Sequence, residues 1–67
     1  MEKKLLKELK KGDWFTLKPI EEPKESQVFI RDDYDRGLKK FLCGKFDDIS
    51  AYRYIKGTKE VYVGFTF

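Results

Sequence analysis

No histidine occurs anywhere in the 67 residues, and cysteine occurs once, as Cys43. The first absence removes the commonest general acid/base and every Ser-His or Cys-His nucleophile pair. The second excludes an internal disulfide and, with no histidine, a zinc centre. Apolar runs are short, far from the roughly 20 residues needed to span a bilayer as a helix. The start, with Lys3, Lys4 and Lys7, has the basic part of a signal peptide but no apolar stretch behind it. Walker and dinucleotide-binding glycine motifs are also missing. The expectation is a soluble cytoplasmic protein that is not an enzyme, uses no cofactor and meets neither a membrane nor a small-molecule substrate.

Rings and charges are abundant. Aromatics make up 16% of the chain and charged residues 40%. A chain this short sits near the lower limit for folding alone, and each ring brings roughly 150–250 Å² of burial. One domain over residues 1–67 is expected, with 1–12 as a lead-in and 13–67 as the body. The net charge of +3 is uneven. In residues 1–12, five Lys against two Glu give +3; residues 13–67 sum to zero. The basic character therefore belongs to the lead-in.

Leu5, Leu6 and Leu9 fall at i, i+1 and i+4 among Lys and Glu, which predicts a short helix over 2–11 ending at Gly12. Strand patterns follow. Over 14–18, Phe15 and Leu17 share one face, Trp14 and Thr16 the other. Pro19 and Pro23 make 19–26 a stiff acidic loop. Residues 27–31 read as a second strand and 32–37 as a turn by composition. Over 39–46, Leu42 and Phe46 oppose Phe41 and Cys43, and Gly44 predicts a bulge or bend. Residues 49–55 form a weaker strand, and 60–67 alternate with period two. Five strands in this spacing predict an all-β fold, a small five-stranded SH3-like barrel with an N-terminal helical segment.

The stretch Leu9-Lys10-Lys11-Gly12-Asp13-Trp14-Phe15 resembles the turn leading into the first strand of many small β-barrels. The run Val28-Phe29-Ile30-Arg31-Asp32-Asp33-Tyr34-Asp35-Arg36, with Phe46-Asp47-Asp48-Ile49 and Lys56-Gly57-Thr58-Lys59-Glu60-Val61-Tyr62-Val63-Gly64-Phe65-Thr66-Phe67, is similar to small uncharacterised proteins of gut bacteria and their mobile elements. The resemblance implies a short accessory protein and assigns no site residues.

Each chemical reading has a plainer rival. Cys43 alternates with Phe41 on a strand, the pattern of a buried and inert thiol. Asp33-Tyr34-Asp35-Arg36-Gly37 opens like a calcium loop, yet its glycine comes one place early and no bidentate Glu follows. Asp32, Asp33 and Asp35 fit better as acceptors of backbone N–H groups. The surface expected to carry binding comprises Trp14, Arg31, Tyr34, Arg36, Lys39, Tyr52, Arg53, Tyr54 and Tyr62. Amphipathic rings of this kind are enriched at protein contacts, so a protein partner or self-association is the first reading. The same rings and cations suit nucleic acid, the alternative, but the five aspartates over 32–48 oppose a phosphate backbone.

Overall fold

The described residues form six strands, all paired antiparallel. The computed structural model describes residues 1–66, the side chain of Ile49 excepted. The strands are β1 (Glu2–Leu5), β2 (Trp14–Phe15), β3 (Phe29–Asp35), β4 (Lys40–Lys45), β5 (Asp48–Ile55) and β6 (Glu60–Val63). Single 3-10 turns cover Leu6–Glu8 and Glu25–Gln27. One sheet has the order β2-β3-β4-β5, and β1 pairs with β6 in a second. A bridge joins them: Thr16 N–H donates to the Tyr62 carbonyl at 3.0 Å, and Tyr62 N–H returns to the Thr16 carbonyl at 2.9 Å. Thr16 is fully buried at this junction, and its hydroxyl donates to the Lys18 carbonyl at 2.6 Å.

Alternation places the core. Leu6, Leu9, Phe15, Phe29, Phe41, Cys43 and Val61 form one buried cluster, with Leu17, Ile55 and Val63 packed against it. Phe15 and Phe29 are register partners whose rings stack at 5.8 Å. The register shift between β4 and β5 falls at Gly44/Lys45, where the glycine predicts a bulge or bend. A second shift lies between Arg31 and Tyr34 in β3.

Three expectations need correction. The first is the helical lead-in: residues 2–5 are strand, followed by a 3-10 turn. Ten residues hold an isolated helix poorly, whereas β6 offers a ready ladder. The extended entry also brings Leu6 and Leu9 into the core together. Leu6 N–H donates to the Lys59 carbonyl and Lys7 N–H to the Gly57 carbonyl, both at 3.0 Å, while Glu8 Oε1 accepts from Leu5 N–H at 2.7 Å. The second is the closed barrel. β6 bonds to Thr16 on one side and β1 on the other, so neither edge remains for β5. The third is the turn at 32–37. β3 continues through Asp35 and the reversal occupies 36–39, with Lys39 at φ 56°. The bulge lets Asp32 and Asp33 stay in the strand while Tyr34 pairs with Phe41. The final strand ends at Val63, and Gly64 follows at φ 78°. Phe67, expected in that strand, lies outside the described residues.

Candidate interaction surface

Directly opposed residues in a sheet point to the same side, so the registers sort the side chains. Trp14, Ile30, Gly44 and Tyr52 form one row across β2, β3, β4 and β5. Leu42 and Tyr54 form the next. Phe46 joins them, its ring 5.0 Å from that of Trp14. This outer face points away from the core. Trp14 is 43% exposed, Tyr52 62% and Tyr54 39%. The rings of Tyr52 and Tyr54 meet edge to face at 6.2 Å. A Cβ built on Gly44 would meet nothing within 4 Å, so the glycine leaves a hollow amid this apolar face.

The inner rows are different. Arg31, Cys43 and Arg53 lie in one, Tyr34, Phe41 and Ile55 in the next. The Arg31 guanidinium stands 4.3 Å from the Phe41 ring centroid, and that of Arg53 5.9 Å from Phe29. Both lie within the range of cation–π attraction. Cys43 is fully buried between the two arginines. Burial pushes its thiol up to about 11, against the opposing pull of Arg31. A thiol so held is a poor nucleophile.

The nine residues singled out in the sequence therefore do not share one face. Trp14, Tyr52 and Tyr54 do. Arg31 and Arg53 occupy the opposite face. Tyr34 and Lys39 line a separate cleft of about 650 Å³ with Lys7, Leu38 and Phe41. Tyr34 is 46% exposed, its ring 4.8 Å from Phe41. Arg36 is exposed in the reversal after β3, and Tyr62 is half-buried at the bridge to Thr16. The sequence reading left Ile30, Leu42 and Phe46 out of the surface. Their alternation was visible, but not which side of each strand faces away from the core.

The edge of the larger sheet is also part of the surface. Arg31 directs its N–H to the Asp13 carbonyl and its C=O to Gly12 N–H. Antiparallel pairs alternate in hydrogen bonding, so Ile30 bonds to Gly44, and Cys43 and Phe41 bond to Arg53 and Ile55. Tyr52 and Tyr54 then turn their main-chain N–H and C=O groups outward, where β5 has no neighbouring strand among the described residues. A cleft of about 550 Å³ adjoins the last residues of β5, lined by Lys40, Arg53, Lys56 and Lys59 with Leu17, Tyr54 and Ile55, and with no carboxylate.

The acidic residues have local roles. Asp35 Oδ1 accepts from Leu38 N–H at 3.0 Å, and Asp48 Oδ1 accepts from the Ser50 N–H at 3.0 Å and its hydroxyl at 2.7 Å. The Ser50 hydroxyl holds the Asp48 carboxyl below the usual carboxylate range. Lys11 Nζ pairs with Asp33 at 3.0 Å and Asp32 at 3.8 Å, and Lys3 pairs with Glu60 at 3.0 Å. Two of the five N-terminal lysines are thus engaged within the fold. Among the described residues, no three His, Cys, Asp or Glu side chains gather as a metal-binding group. No helix there is long and apolar enough to cross a membrane. No family model, curated protein or solved structure matches the chain.

Proposed function

We propose that the protein is a small, non-catalytic interaction module of the cytoplasm. Its contact surface is the outer face of the four-stranded sheet. The observation that carries this reading is the grouping of Trp14, Tyr52 and Tyr54 with Ile30, Leu42 and Phe46 on one side. The open parts of Trp14, Tyr52 and Tyr54 amount to on the order of 300 Å², within the range of the largest apolar patch on a monomer, which is often functional. A second copy offers the same face, and two such faces can stack about 10 Å apart as sheets do in sandwiches. Self-association is therefore the first form of the proposal. The bridge from β6 to Thr16, just after β2, supports reading the two sheets as an SH3-like barrel left open beside β5, with β1 as an addition to that plan. Sedimentation of the wild type and Tyr52→Glu tests the face. The wild type is expected to gain dimer mass with concentration and the variant to stay monomeric with an unchanged unfolding midpoint. A wild type that remains monomeric contradicts self-association.

Nucleic acid is the second reading. The four cations and Tyr54 at the β5 cleft favour it, since a ring can stack on a base while the cations meet phosphates. It predicts that a labelled oligonucleotide is held at low salt and released as salt rises.

A further inference from the structure

We infer that the open edge of β5 accepts an extended acidic segment of a partner protein as an added strand. The inference rests on the proposed interaction role and names the partner's chemistry. Tyr52 and Tyr54 present alternating N–H donors and C=O acceptors along the edge, the pattern that another peptide backbone satisfies. A phosphate backbone offers only acceptors, so it leaves the outward carbonyls unmatched.

Charge selects the strand. Arg53 lies on β5 with its side chain on the inner face, while Lys40, Lys56 and Lys59 line the same cleft. None of the four is in an ion pair among the described residues. An inward-pointing charge on an edge strand is a known guard against indiscriminate pairing. Here the guard discriminates. A second copy added antiparallel about Arg53 sets that arginine opposite its own counterpart, and like charges directly opposed destabilise a pair. Other registers still bring two sets of four cations together. A strand with an acidic residue opposite Arg53 instead gains an ion pair. Its neighbouring residues then fall on the outer face beside Tyr52 and Tyr54, where apolar side chains fit. The partner segment is therefore expected to alternate acidic and aliphatic residues.

The probe is a fluorescein-labelled Glu-Val repeat of about eight residues, near the length of an ordinary strand. Fluorescence anisotropy reads its binding to the full chain at low and moderate salt. Binding is expected, weakening with salt. Tyr54→Pro removes an outward N–H without breaking the β4 ladder and is expected to lose roughly tenfold or more in affinity, a difference of about 1.4 kcal/mol. Tyr54→Val keeps that N–H and should lose clearly less. Arg53→Glu combined with Lys56→Glu should exchange the preference, rejecting the Glu-Val repeat and binding a Lys-Val repeat. Circular dichroism confirms that each variant is folded. Equal losses for Tyr54→Pro and Tyr54→Val overturn strand addition, as does a failure of the wild type to bind the acidic repeat. Tighter binding of oligothymidylate than of the acidic repeat overturns it in favour of nucleic acid. Sedimentation of the probe-free protein keeps the two proposals apart: a dimer without peptide binding defeats only the edge, and peptide binding without a dimer defeats only the self-association.

Discussion

Cys43 and Gly44 are adjacent in β4 and face opposite ways, and each fixes a property that can be measured. Cys43 is fully buried, with its thiol pushed up to about 11 by loss of solvent. In the unfolded chain the thiolate forms near the ordinary thiol pKa, whereas the folded protein keeps the proton to higher pH. The unfolded state therefore holds fewer protons between the two values, and stability falls as pH rises through that window. Cys43→Ala should flatten the loss between about pH 9 and 11, by up to roughly 2 kcal/mol. Urea titrations of both proteins at several pH values measure it, and identical slopes would show that the thiol is not the cause. Gly44 has open space over its Cβ position. Gly44→Val should fill the hollow between Ile30 and Tyr52, leave the unfolding midpoint nearly unchanged and weaken self-association several-fold. The sequence disclosed part of this. Leu42 and Phe46 against Phe41 and Cys43, and the bulge at Gly44, follow from local spacing. The inward placement of Arg31 and Arg53 does not, because it depends on rings from other strands lying beneath their guanidinium groups.

At the scale of elements, β1 is the clearest case of tertiary context overriding local preference. Its glutamate, two lysines and leucine are good helix formers, but the bonds from Leu6 to Lys59 and Lys7 to Gly57 exist only once β6 has folded back. Leu6 is fully buried beside Phe15 and Val61 in the core. Leu6→Ala should cost about 2–4 kcal/mol, a large share of the stability of a domain this size. Denaturant unfolding measures it, and a loss below about 1 kcal/mol would argue for a detached lead-in. Gly57→Ala tests the same junction from the opposite side. The added Cβ would lie 3.0 Å from Phe41 Cε2 and 3.1 Å from Lys7 Cβ. Overpacking of that kind should destabilise by about 1 kcal/mol or more. β3 illustrates a different limit. Asp32, Asp33 and Asp35 have turn composition, yet the bulge, the Lys11 ion pairs and the Tyr34–Phe41 contact keep them in a strand.

For the whole molecule, the division of charge has a structural counterpart. The basic lead-in is not a free arm: residues 2–5 form β1, Lys3 pairs with Glu60 and Lys11 with Asp33. Four cations without an ion pair among the described residues, Lys40, Arg53, Lys56 and Lys59, line the cleft at β5, and the aromatic face lies on the adjoining side of the same sheet. Whether the proposed outer face joins two copies is decided by sedimentation equilibrium over a range reaching about 1 mM. The wild type is expected to pass from monomer to dimer with rising concentration, while folded Tyr52→Glu and Gly44→Val remain monomeric or dimerise several-fold more weakly. A wild type that is monomeric throughout, or variants that dimerise as strongly as it does, would show that the outer face does not join two copies.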